Sequence, residues 1–421
     1  MAVLSGWDKV KSEKAAARGK EEMKKKEEIH LIIETIDKTV ESYKDTLVTL
    51  SHEIHDDPEV GRQEFHAVAR AKKVLTEAGF SFENPFAGME TAFKAVYKGK
   101  PGGKVVAFLA EYDALAGLGH GCGHNLIITM AIGAALGLKS MLKDIPGEVW
   151  VLGTPAEETE GGKVEMVEKH VFDDVDYALM IHPSDVNMIQ RGGLACCDVT
   201  VEYHGKPAHS SRPSAGINAL DSLIALFNGI NMQRSSWPDK SRCNGIITAG
   251  GTASNIICDL AVGKFTVRAE KVGQMKPMLA DMKKIAEAAA AMTGAKLVWK
   301  QGVLTTERYP NKAMDETLKA HAADYGVDML YPPKDMQVGS SDFGNVSMVV
   351  PGIHAYLSIA PEGGHIGGHT PEMVAAACSP IADKTAILGA KCLAMTGYDI
   401  LTQPELQKEI AKEFAKVPKL G

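Results

Sequence analysis

The chain reads as an α/β protein, a mostly parallel sheet with helices on both faces, interrupted by a smaller α+β unit of ferredoxin-like order. Three observations predict this. Apolar runs of strand length at Val105 to Ala110, Val149 to Gly153 and Tyr177 to Ile181 are separated by helical patterns such as Leu126 to Leu142, and that alternation marks a parallel sheet covered on both sides. The middle of the chain then switches to the order β-α-β-β-α-β of a split βαβ unit. After Val303 the helix-strand alternation resumes. The implied division is 1–192 and 304–421 as two parts of one domain, with 193–303 inserted between them.

Taken in order, the stretch to about Lys26 is charged and alanine-rich and predicts a solvated helix or a frayed tail. Ile32, Ile33, Ile36, Val40, Tyr43, Leu47, Leu50 and Ile54 recur at helical spacing and predict one long amphipathic helix, which Asp57-Pro58 closes. The three strands follow, Pro183 stopping the third. In the insertion, Cys196 to Tyr203 reads as a strand and Ile217 to Met232 as a helix. Gly245 to Ala249 and Ile257 to Arg268 read as strands, Met275 to Met292 as a helix and Lys296 to Lys300 as a strand. Beyond it, Met314 to Tyr325 is helical, Ile353 to Ile359 a strand, and Met373 to Met395 one long alanine-rich helix. No internal repeat or low-complexity linker is present.

A length of 421 residues exceeds one comfortable core and suggests about two or three domains. The formal net charge of -7 is mild for this size and points away from nucleic acid as a partner. Seven cysteines, an odd number without a CxxC pair and with Cys196 and Cys197 adjacent, suit neither a zinc ribbon nor a disulfide framework. They fit a reducing compartment. Lys9, Lys11, Lys14 and Arg18 precede no apolar signal-peptide core, and no segment reads as apolar enough to span a bilayer. A cytoplasmic protein without a membrane partner is expected.

Four short segments carry metal-binding or acid-base groups just past apolar runs: Gly121 to His124, Pro155 to Glu158, Ile181 to Pro183 and Gly367 to Pro371. In open α/β sheets such positions meet at the carboxyl ends of the strands. Cys122 and His124 lie in a glycine-dense loop ahead of a helix, where the helix end would lower the thiol pKa and ready it for metal. Glu157 and Glu158 are adjacent; in an extended segment they point opposite ways, so that one could bind metal while the other faces substrate. His182 directly follows a strand, and His369 sits in a glycine-rich turn. Taken singly, each has an ordinary structural reading: a core cysteine, a surface Glu-Glu pair, a satisfied or loop histidine.

Together they make a five-ligand set of imidazole, carboxylate and thiolate. That chemistry suits zinc or manganese rather than calcium or magnesium. Five ligands exceed a closed structural zinc site, which implies two divalent ions sharing a water and hence catalysis. Other options fail: the loop lacks the GxGxxG spacing, Gly339-Ser340-Ser341-Asp342-Phe343 lacks the last glycine of a G-x-S-x-G elbow, and no HExxH occurs.

These segments, in this order, resemble the amidohydrolase branch of the aminoacylase and carboxypeptidase-type dinuclear metallopeptidases, the branch that hydrolyses aminobenzoyl-glutamate and indole-acetyl-amino acids. Ile54 to Gly61, Ala110 to Asn125, Pro155 to Glu158, His209 to Asn218 and His369-Thr370-Pro371 carry the likeness, which spans nearly the whole chain. The resemblance implies Cys122, His124, Glu158, His182 and His369 as ligands and Glu157 as general base. Many relatives outside the branch place a metal-binding histidine where this chain has Glu111; within it the Cys122-x-His124 pair serves instead, leaving Asp113 to support a ligand.

The inserted unit would be a lid that also forms a homodimer, with His209 completing the neighbouring subunit's site. Asn255 and Arg268 would grip a carboxylate of a small-molecule substrate. The expected activity is metal-dependent hydrolysis of the amide bond of a small N-acyl amino acid, an aminobenzoyl-glutamate-like compound or a dipeptide. Two rivals stand beside it: hydrolytic deamination of an amino-substituted aromatic acid, and a non-enzymatic scaffold on an inherited fold.

Overall fold

The structure, a computed structural model, describes residues 30–419; the charged opening stretch read as a solvated helix or tail lies outside them. The long apolar series forms two helices rather than one, α1 (30–42) and α2 (Lys44–Asp56), because Tyr43 between them leaves helical geometry with ψ at 2°. Its N–H turns back to the Val40 carbonyl at 3.1 Å. The apolar face nevertheless runs on, since Ile36, Val40, Leu47, Leu50 and Ile54 are all buried in the main core. α2 ends before Asp57-Pro58, as expected, and α3 (Phe65–Glu77) follows.

Two strands the sequence reading missed come next, β1 (Ser81–Glu83) and β2 (Phe93–Lys98), then β3 (Lys100–Ala110), α4 (His124–Leu142), β4 (Pro146–Gly153), α5 (Gly162–Glu168) and β5 (Tyr177–Ser184). Later in the chain β10 (Gly352–Ser358) completes a sheet of order β1-β2-β4-β3-β5-β10. β3, β4, β5 and β10 are mutually parallel, and β1 and β2 add an antiparallel edge. All four parallel strands therefore end on one rim of the sheet, where the segments carrying Cys122, Glu157, His182 and His369 emerge.

β5 continues through Pro183 rather than stopping at it, pairing Pro183 with Leu357 and Ser184 with Ser358. The reason is positional. The N–H of Ala178 points to β10, so by strand alternation the odd-numbered nitrogens face β3. Pairing with β3 has already ended at Leu179, and a nitrogen without a proton costs nothing there.

α4 corrects another expectation. By length and composition it is apolar enough to cross a membrane, yet it is buried inside this fold, against the sheet, α2 and the helix α11 described below. Its Gly133 and Gly137 allow the close approach: a Cβ on Gly133 would meet Ala390 at 2.7 Å, and one on Gly137 would meet Val40 at 2.9 Å.

The insertion runs β6 (Ala195–His204), α6 (Ala219–Gln233), β7 (Arg242–Gly250), β8 (Leu260–Ala269), α7 (Val272–Thr293) and β9 (Lys296–Thr305). Its antiparallel sheet has the order β7-β8-β6-β9, the ferredoxin-like arrangement expected. A separate core of Val199, Val201, Tyr203, Leu223, Leu226, Phe265, Met278 and Met282 lies between this sheet and its two helices. Strand alternation turns Cys196, Asp198 and Arg268 to the other face.

The chain then forms α8 (Lys312–Asp324), α9 (Phe343–Val349), β10, α10 (Pro371–Ala376), α11 (Pro380–Thr402) and α12 (Pro404–Phe414). The single helix expected over Met373 to Met395 is thus two. Pro380 cannot donate a backbone hydrogen bond and disfavours helix at Ser379. Ser379 becomes the N-cap of α11, its hydroxyl accepting from Ala382 N–H at 3.2 Å.

Candidate metal centre

The predicted ligands gather at the sheet's carboxyl rim: His182 still within β5, His124 at the start of α4, and Cys122, Glu158 and His369 in turns. Gly123, at φ 73°, lets the loop after β3 turn sharply into α4, so that His124 opens the helix and Cys122 lies one residue outside it. His369, itself at φ 60°, is tied to that loop by its N–H to the Gly121 carbonyl at 2.8 Å. Donor atoms of Cys122, His124 and His182 lie within 4.8 Å of one another, and so do those of Cys122, Glu158 and His369. All five predicted ligands therefore converge, with Cys122 common to both groups.

The hydrogen bonds fix which atoms face inward. His124 Nδ1 is 2.9 Å from Asp113 Oδ1, while Asp113 Oδ2 accepts the Glu158 N–H at 2.9 Å. This is the support expected of Asp113, and it leaves His124 Nε2 free to ligate. His182 Nδ1 lies 2.6 Å from the Pro183 carbonyl, which can only accept, so Nε2 presents its lone pair 3.5 Å from Cys122 Sγ. His124 Nε2 and Glu158 Oε1 are both buried without a hydrogen-bond partner. Orphaned donors on imidazole and carboxylate beside a thiol are what a borderline divalent cation satisfies, so these residues fit such ions.

The charges agree. Burial holds the His182 imidazole down to about 4, neutral and ready to ligate. On His124 burial opposes charge, but Asp113 alongside raises the imidazole well above its ordinary range; a cation at Nε2 displaces that proton. The helix end does not lower the Cys122 thiol as expected. Burial and the Glu158 carboxylate push it up instead, and a bound cation is the partner that reverses this.

Glu157 and Glu158 are not in an extended segment and do not diverge. Ala156 takes φ 59°, and residues 157–160 form turns, which bring carboxylate oxygens of both within 4.8 Å of each other and of His124. The buried carboxylate of Glu64 imposes this turn by accepting the Ala156 N–H at 2.8 Å. Burial, then Glu111, Asp342 and Glu158, push the Glu157 carboxyl well above its usual range. Raised basicity suits a group that takes a proton from water.

One cluster escaped the sequence reading. Fully buried Lys163 lies 2.6 Å from Glu111 Oε1 and 2.7 Å from Asp342 Oδ1, and its N–H reaches Asp342 Oδ2 at 2.9 Å. Glu111 Oε2 in turn sits 3.4 Å from His124 Nε2. This internal cation balances the carboxylates beneath the ligands. The position of Glu111 at the end of β3 was a usable signal; Lys163 and Asp342 carry none.

A cavity of about 1040 Å³ opens over the centre, lined by Cys122, Glu157, Glu158, His182 and His369, with Arg268 from β8 across it. Arg268 donates to Ser340 Oγ at 3.0 Å. Asn255, expected to act with it, does not line the cavity of its own chain. It is exposed beside exposed His209, its carbonyl accepting the Ser210 N–H at 2.9 Å, and His209 does not line that cavity either.

Comparison with known proteins agrees with this architecture. An Xaa-Arg dipeptidase of Mus musculus is 34% identical over 403 residues, covering 92% of this chain and 93% of that protein. A p-aminobenzoyl-glutamate hydrolase subunit of Escherichia coli (strain K12) is 31% identical over 315 residues, covering 69% of this chain and 65% of that protein. A solved dinuclear metal-binding peptidase of the M20 family from Bacillus subtilis shares the fold with a TM-score of 0.59 at 20% identity, covering 83% of this chain and 98% of that one. Residues 107–383 match the profile of peptidase family M20/M25/M40; the chain belongs to that family and is a metal-dependent hydrolase.

Proposed function

We propose that the protein cleaves the amide bond of a small substrate bearing a free carboxylate, an N-acyl amino acid or a dipeptide. The convergence of Cys122, His124, Glu158, His182 and His369, with Glu157 beside His124 and Glu158, carries this reading. The relatives named for dipeptide and aminobenzoyl-glutamate hydrolysis support the substrate class, and the Bacillus subtilis neighbour supports a dinuclear site. Cys122, His124 and His182 would hold one ion and Cys122, Glu158 and His369 another, zinc or manganese by donor chemistry. Bound there, two divalent ions supply Lewis acidity toward the amide carbonyl and the attacking water.

The remaining work falls to the chain. Glu157 takes the proton of the attacking water and returns it to the leaving nitrogen. Asp113 keeps His124 in its ligating orientation. Arg268 holds the substrate carboxylate. His209 and Asn255, exposed together on the inserted unit, serve the cavity of a second copy in a homodimer. Exposed Ile246 and Ile247 on edge strand β7 support pairing through that unit.

The test is a panel of dipeptides, N-acyl amino acids and aminobenzoyl-glutamate, with release of free amino acid as the readout. Amidating the substrate carboxylate is expected to lower kcat/KM of the wild type about 10–100-fold, the worth of a charge-assisted hydrogen bond. Arg268→Ala should lose a similar factor on the free acid and little more on the amide. Independent, additive losses would remove Arg268 from this role. Ammonia in place of amino acid, released from an amino-substituted aromatic acid, would point to the deaminase instead.

A further inference from the structure

Beyond His182 the cavity wall is built by β10, whose His354 and Tyr356 share a sheet face with His182 and line the same cavity. The His354 ring stacks on that of His182, with centroids 5.7 Å apart at 21°, and only 6% of the residue is exposed. Neither of its ring nitrogens has a hydrogen-bond partner. An imidazole bears at least one N–H in either protonation state, and leaving such a donor buried and unpaired costs about 1–3 kcal/mol. An occupant of the cavity accounts for it.

The surroundings say what that occupant is. Arg308 donates to the carbonyls of Arg191 at 3.1 Å and Gly192 at 2.9 Å and to the Tyr356 hydroxyl at 2.8 Å, which ties the segment carrying Arg191 against β10. The Arg191 guanidinium lies 4.4 Å from the Tyr356 ring centroid, and its Nε is buried without a partner. Among the described residues neither guanidinium has an ion-pair partner. Arg308 has the buried Asp315 carboxylate nearby, but the Arg191 guanidinium and a free imidazole donor remain unpaired, and together they favour a carboxylate over a neutral acceptor.

We infer that His354, Arg191 and Tyr356 form a second carboxylate subsite, on the acyl side of the substrate. This rests on the amide-hydrolase reading, in which Arg268, which lines the cavity close enough for its charge to act on the His369 imidazole, takes the carboxylate of the amino acid. The two cationic groups then receive opposite ends of one substrate. The favoured class is an N-acyl amino acid whose acyl part itself ends in a carboxylate, such as an N-succinyl or N-glutaryl amino acid or a dipeptide opening with an acidic residue.

The test pairs N-succinyl and N-glutaryl amino acids with their terminal monoamides, which keep the scissile bond and differ only in that charge. The wild type is expected to prefer the acids by about 10–100-fold in kcat/KM. His354→Phe, which keeps a ring against His182, and Arg191→Gln should each reduce the preference to about threefold or less. Calorimetric titration of the same metal-loaded proteins with succinate and with succinamate gives a readout independent of turnover: succinate should bind at least about tenfold tighter in the wild type, and not in the variants. Hydrolysis of acid and monoamide at equal rates, or equal binding of the two probes, overturns the subsite and leaves the hydrolase reading standing. A preference untouched in both variants overturns the residues assigned. Failure to cleave any amide, with the succinate preference intact in the wild type and lost in the variants, would instead sink the hydrolase reading while supporting the subsite.

Discussion

Glu157→Gln is expected to lower kcat by about 10²–10⁴-fold while leaving the metal content of the protein unchanged, the range a positioned proton-transfer group contributes. The amide fills the same volume but cannot take the water's proton. Glu158→Gln should behave differently, because Glu158 faces His369 at 3.3 Å and belongs to a candidate ligand group. It should lose metal affinity and recover activity as metal is added. Kinetics and elemental analysis on both variants check this. The reverse pattern of metal content would exchange the two roles.

Restoration of activity by mixing two inactive proteins is the second large effect expected. His209 and Asn255 lie outside the cavity of their own chain; on the proposed homodimer, in which they serve the partner's cavity, His209→Ala and Glu157→Gln proteins should each be nearly inactive. Co-refolding them should produce mixed dimers with one competent site each, where an intact His209 reaches over an intact Glu157. The measurement is activity of the mixture against that of each variant alone, with mass spectrometry to confirm that mixed dimers formed. Mixed dimers without recovered turnover would place His209 in its own subunit's service or outside catalysis.

The parts of this protein that were readable in its sequence are those encoded locally. Cys122, His124, Glu158, His182 and His369 could be found because each follows a strand-like run, and a parallel sheet brings such positions to one rim. The β-α-β-β-α-β order of the insertion was equally visible, since each element carries its own periodicity. What escaped depends on distant partners. The turn that aims Glu157 and Glu158 together rests on a positive φ at Ala156, no glycine, held by the Glu64 carboxylate. The Lys163 pairs with Glu111 and Asp342 join three segments that share no local pattern. The split at Ser379-Pro380 was different: its cap and proline were in plain view, and the alanine-rich apolar run on either side hid them.

The proposed hydrolysis depends above all on the five converging side chains holding two ions. Elemental analysis of the purified protein, before and after prolonged chelation and with activity followed in parallel, tests that claim most directly. The expected result is close to two transition-metal ions per chain, loss of activity as they are removed, and recovery when zinc or manganese is returned. A fully active protein without metal, or activity indifferent to chelation, would contradict it.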